Sequence, residues 1–133
     1  MPNTLYVTLD QTTTPWSVDV NQSNNANDVA QNALAQTITW QLSGNAAAGT
    51  FNSLTDPHNP GFAWTGTAPR AGIFHTPALN ANGNTLTISD LNNSSSTTGS
   101  WNYKMCINVG GTLYTTITTG IRGTNTNPSI KNR

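Results

Sequence analysis

The chain has no glutamate, little charge of either sign, a single cysteine and no long apolar stretch. Charged residues make up 8% of its 133 positions, where about a quarter is ordinary for a soluble domain. Five Lys and Arg balance five Asp, so the net charge at pH 7 is zero with both His neutral. A surface without excess positive charge has no electrostatic footprint for a phosphate backbone, and no nucleic-acid partner is expected. The lone cysteine, Cys106, excludes an internal disulfide and leaves stability to packing. No apolar run approaches the roughly 18 residues of a membrane-spanning helix, so no membrane association is expected. The start Met1-Pro2-Asn3-Thr4 has no basic cluster followed by an apolar segment, and the expected location is cytoplasmic.

Small uncharged polar residues fill the space that charge leaves: 19 Asn, 23 Thr and 10 Ser. Disordered tracts share that bias. Four Trp, three Tyr and three Phe spread along the chain argue for a packed core instead. The length fits one domain spanning 1–133.

Apolar residues recur with period two, the mark of strands with one buried face. Leu5, Val7 and Leu9 share a face, as do Trp16, Val18 and Val20. Ile38, Trp40 and Leu42 repeat the pattern, then Leu86 and Ile88. The longest run, Trp101 to Val109, alternates over nine residues with large apolar side chains at its odd positions. Gly110-Gly111 supplies the positive φ of a tight turn, after which Thr112 to Thr119 runs back as a Thr-rich strand. Between Gln22 and Gln36 the pattern is weaker. Asn27 or Asp28 would cap one helical turn through Val29, Ala30, Ala33 and Leu34, with a polar loop as the alternative.

Short strands separated by turns, with little helix, predict an all-β fold: an antiparallel β-sandwich of seven to eight strands. The second half resembles the end of an immunoglobulin-like domain. Leu86 to Leu91 is similar to the fifth strand and its corner, and Gly99 to Met105 to the start of the sixth. That resemblance implies a Tyr103 hydroxyl bonded to backbone at the corner and a Trp40 packed against Tyr103. A narrower resemblance rests on Asp56-Pro57-His58-Asn59-Pro60-Gly61-Phe62-Ala63-Trp64, on Ile38 to Leu42 and on Asn127 to Asn132. These segments resemble the bacterial DP-EP family, small proteins with no established activity; here Asn59-Pro60 stands at the second element. The resemblance implies a sandwich and carries over no catalytic residue.

Candidate chemistry is sparse. Asp10, Asp28, Asp56 and Asp90 fall at strand ends or turns, where Asp bonds local backbone, and Asp19 faces outward. His58, His75 and Asp56 have no compact ligand spacing, so neither a metal site nor a cofactor is expected. Cys106 shares a face with Asn102, Lys104 and Asn108, away from the core. Lys104 would lower its pKa slightly, but no His base is placed near it. The expectation is an inert thiol under a loop or a neighbouring chain. The Asp56–Trp64 segment reads as a rigid loop anchored by Phe62 and Trp64. It would alternatively present His58, Asn59 and an aromatic edge to a sugar. Thr37, Thr39 and Gln41, then Asn102, Lys104 and Asn108, then Tyr114, Thr116 and Thr118, are expected to form one polar sheet face.

No nucleophile, base and orienter assemble from these residues, so no enzymatic activity is expected. Many strands with little charge leave edges unprotected, which predicts a homo-oligomer, a dimer by preference. The function expected is therefore a self-associating or protein-interaction module. A carbohydrate-binding, lectin-like domain using His58, Asn59, Trp64 and Tyr114 is the alternative. A phage or injection-system particle component is a third.

Overall fold

A computed structural model describes residues 3–116 and 128–133. Among the described residues eleven strands follow one another: β1 (Thr4–Asp10), β2 (Ser17–Val20), β3 (Asp28–Val29), β4 (Gln36–Leu42), β5 (Thr50–Phe51), β6 (Phe62–Thr65), β7 (Ala78–Leu79), β8 (Thr85–Asp90), β9 (Gly99–Val109), β10 (Thr112–Thr115) and β11 (Ser129–Asn132). The expected count of seven to eight is exceeded because β3, β5 and β7 are two-residue strands flanking longer ones. Single 3-10 turns at Ser23–Asn25, Gly44–Ala46 and Ser95–Thr97 are the helical segments among the described residues, and none is long and apolar enough to cross a membrane. Thr118, the expected strand return beyond Thr116 and the segment before Pro128 lie outside the described residues.

Two sheets pack face to face as a β-sandwich. The first has the order β2-β1-β4-β8-β7. The second runs β10-β9-β11-β3, with β5 and β6 also paired to β9. Period-two alternation sends Leu5, Val7, Leu9, Val18, Val20, Ile38, Trp40, Leu42, Leu86 and Ile88 inward from the first sheet. Tyr103, Met105, Ile107 and Ile130 meet them from the second, in one continuous core. Each aliphatic side chain buried this way stabilises the fold by roughly 1.5–3 kcal/mol.

The sheets are mixed, where an all-antiparallel sandwich was expected. β1 pairs β4 in parallel, and β3 pairs β11 in parallel. The reason is the chain path. After β2 it leaves the first sheet, contributes β3 to the second, and returns as β4 beside β1 in the same direction. The same topology separates the expected polar face. Thr37, Thr39 and Gln41 lie on β4 between β1 and β8, whereas Asn102, Lys104, Asn108 and Tyr114 belong to the opposite sheet.

Three further readings change. Trp16 is not inward with Val18: the β1–β2 pairing ends at Asp10↔Ser17, so Trp16 stands beyond the last ladder pair and is 42% exposed. No α-helix forms between Gln22 and Gln36; Val29 is buried in β3 while Leu34 is exposed. The Tyr103 hydroxyl bonds no corner backbone. It accepts the indole N–H of Trp40 at 2.9 Å, with the rings edge-on at 5.3 Å. Both side chains are fully buried, one from each sheet, so this bond ties the layers together. Burial raises the Tyr103 phenol above its ordinary pKa.

Candidate functional site

Two regions of the outer surface carry the residues that chemistry singles out. The first is the loop 52–61. Strands β5 and β6 pair with the same side of β9: Phe51 opposes Ile107, and Phe62 opposes Met105. Asn52 N–H bonds the Cys106 carbonyl at 2.9 Å, and Cys106 N–H bonds the Gly61 carbonyl at 3.3 Å. The loop is thus an excursion whose two ends meet at Cys106. Asp56 holds it by an Asx turn, its Oδ1 accepting the N–H groups of His58 (2.9 Å) and Asn59 (2.8 Å). These backbone donors, Asn59 first, draw the Asp56 carboxyl below its ordinary range. Asn52 Nδ2 closes the loop on the Asn59 carbonyl at 2.7 Å. Gly61 is required here, because a Cβ would stand 2.3 Å from the Asn52 carbonyl oxygen.

Beneath the loop, Cys106 points to the outer face as alternation predicts, yet only 2% of it is exposed. Asn59 and Pro60 on one side and Thr115 and Thr116 on the other enclose a small cleft beside it. The thiol pKa is raised, first by burial and then by the Asp56 charge, which together outweigh Lys104. The expectation that Lys104 lowers it is corrected accordingly, and a thiol held protonated is a poor nucleophile.

The second region is the seam where β2 and β10 bring the two sheets together. Val18 and Thr116 form an isolated bridge there. Trp16 and Tyr114 stack across it with centroids 6.0 Å apart and planes 19° from parallel. Thr13, Thr14 and Pro15 complete a shallow groove of about 250 Å³ along the rings. Leu113, the preceding residue of β10 and so on the opposite face of the sheet from Tyr114, is 42% exposed. β10 is an end strand in its sheet and carries Thr112-Leu113-Tyr114-Thr115, with neither charge nor proline.

The structure does not gather His58, Asn59, Trp64 and Tyr114 into one cleft. His58 and Asn59 are exposed on the outer loop. Trp64 opposes the buried Tyr103 and turns toward the core, where its ring meets Phe62 at 5.0 Å and Phe74 at 4.8 Å. Tyr114 opposes Ile107, a core residue, and so leans inward at the seam. Trp16 and Leu113 are the residues that sequence reasoning missed. The break in alternation at Pro15 was the signal for Trp16.

The carboxylates also divide. Asp10 accepts from the Thr12 hydroxyl (2.6 Å) and N–H (2.9 Å), the local use expected, and its pKa is lowered by those bonds. Asp28 instead pairs with Arg133 at 2.9 Å. Asp90 is wholly buried and accepts from Asn132 Nδ2 at 2.9 Å. His75 is exposed and bonds the Ser89 carbonyl through its backbone N–H. Among the described residues, no three His, Cys, Asp or Glu side chains stand close enough to hold a metal ion. No family model, no curated protein and no solved structure matches the chain.

Proposed function

We propose that this protein is a non-enzymatic interaction module that pairs with a second copy of itself through the β2/β10 seam. The observation that carries the reading is the uncharged end strand β10, with Leu113 exposed on its outer face and the Trp16–Tyr114 stack on the other. An end strand presents unpaired backbone N–H and C=O groups, and charge or proline normally blunts it. Here neither does, and a chain of zero net charge adds no repulsion between copies. Ladder bonds from β10 would supply affinity, and the rings would supply apolar area. The use of Asp10, Asp56 and Asp90 in internal hydrogen bonds, together with the protonated and covered Cys106 thiol, supports a role without catalysis. Kinship with the DP-EP family is proposed on the Asp56–Trp64 segment, whose prolines and Gly61 fall in the excursion over Cys106.

Sedimentation velocity on the wild type and on Leu113→Lys tests the reading. The wild type is expected to sediment as a dimer. Leu113→Lys places a charge on the exposed edge and is expected to sediment as a monomer, with stability within about 0.5 kcal/mol of wild type. A wild-type monomer at every workable concentration contradicts the proposal.

A further inference from the structure

A cleft of about 520 Å³ opens at the far end of β1 from Trp16, between the outer face of that strand and the segment 21–30. Its volume lies within the range of small-molecule sites, and its lining is unlike the seam. Tyr6 contributes a ring that is 52% exposed; Thr4, Asn21, Ser23, Asp28 and Gln36 contribute hydroxyl, amide and carboxylate groups. Only one charge faces the cleft, and it is compensated: Asp28 Oδ2 accepts from Arg133 Nη2 at 2.9 Å and Nε at 3.2 Å.

The walls are held by hydrogen bonds among the lining residues themselves. Asn3, buried at the start of the chain, donates both amide hydrogens to the opposite wall, to the carbonyls of Ala26 (2.9 Å) and Asp28 (2.8 Å). Asn21 Oδ1 accepts the Ser23 N–H at 2.9 Å, a bond in which its amide nitrogen takes no part. Gln36 Nε2 donates to the Ala30 carbonyl at 2.8 Å, a bond in which its amide oxygen takes no part. The polar lining is therefore oriented rather than loose, and it mixes donor and acceptor groups beside one aromatic face.

We propose that this cleft binds a neutral saccharide of one or two rings. A sugar hydroxyl both donates and accepts, which suits the amide nitrogen of Asn21 with the oxygens of Gln36 and Asp28. The C–H face of a pyranose ring is apolar and packs on an exposed aromatic such as Tyr6. A charged ligand finds no uncompensated partner in the cleft, and an apolar one finds only the Tyr6 ring, Ala26 and Ala30 among polar groups. The site shares no residue with the β2/β10 seam, so it stands or falls separately from self-association.

The test is a titration of the ¹⁵N-labelled full chain, followed by amide chemical shifts, with maltose, lactose, N-acetylglucosamine and mannose up to about 20 mM. Glycerol and sodium acetate serve as controls. At least one sugar is expected to shift the amides of Tyr6, Asn21 and Ser23 saturably, with acetate and glycerol leaving them in place. Tyr6→Ala is expected to weaken that binding about tenfold while Tyr6→Phe retains it. The melting temperature of Tyr6→Ala, at an exposed position, should stay at the wild-type value and show that the fold is kept. The proposal is overturned if no sugar moves these amides, if glycerol moves them equally, if the shifts cluster at Trp16 and Tyr114, or if Tyr6→Ala binds like the wild type.

Discussion

At the scale of single residues, Asp90 is the most consequential side chain. It is fully buried, and desolvation raises its carboxyl pKa to about 6 despite the bond from Asn132. Asp90 Oδ2 and Asn132 Oδ1 are buried and take no hydrogen bond from any described residue. A proton on Asp90 would give this pair a donor, allowing an acid–amide pairing in which each side chain donates once. The folded pKa lies above the ordinary value of 3.8. The stability this group contributes is therefore fully present below about pH 4 and is lost as pH rises through about 6, a difference of up to about 3 kcal/mol. Asp90→Asn keeps the shape and replaces the acid proton by an amide hydrogen. Thermal melts between pH 4.5 and 8 should show wild-type stability falling with pH. The variant should vary much less and melt several degrees higher at pH 8. Equal slopes for the two proteins would contradict this. Alternation separates Asp90 from Asp10, since Asp90 continues the inward register of Leu86 and Ile88 while Asp10 shares the outward register of Tyr6 and Thr8; the Asn132 partner that β11 brings from the other sheet is not legible in the sequence.

At the scale of elements, the excursion 52–61 shows how a turn-rich segment gains order from one strand. Its prolines and Gly61 were legible in the sequence, as was the anchoring role of Phe62. Cover of Cys106 by a loop or a neighbouring chain was expected; that this segment supplies it was not legible, because that follows from β5 and β6 landing in one line along β9. Asp56→Ala removes the acceptor for the His58 and Asn59 N–H groups while leaving the core contacts of Phe51 and Phe62 intact. Local opening should then become easier without global unfolding. Labelling of Cys106 by a thiol reagent is expected to speed up by about tenfold or more in Asp56→Ala, at a melting temperature within a few degrees of wild type. Labelling at an unchanged rate would mean that the loop does not protect the thiol. The strand interiors of β1, β4, β8 and β9 could be read from alternation, since period two is a local property. The parallel β1–β4 pairing could not, because it depends on where the chain goes between Val20 and Gln36.

At the scale of the whole molecule, two layers are joined by a buried Trp40–Tyr103 bond on the inside and by a Trp16–Tyr114 stack at one edge. The composition forecast the neutral surface. It did not forecast the distribution of the rings: most aromatics lock the interior, while Trp16 and Tyr6 remain outside at opposite ends of the β1–β2 hairpin. A surface with so little charge relies on geometry to control association, and β10, an end strand among the described residues, is the edge proposed for it. Amide hydrogen exchange of residues 112–115, measured at low and at high protein concentration, tests self-pairing most directly. The account predicts that exchange there slows as concentration rises while the amides of β8 are unaffected. Identical exchange of 112–115 at both concentrations, across a range spanning any workable association constant, would contradict it.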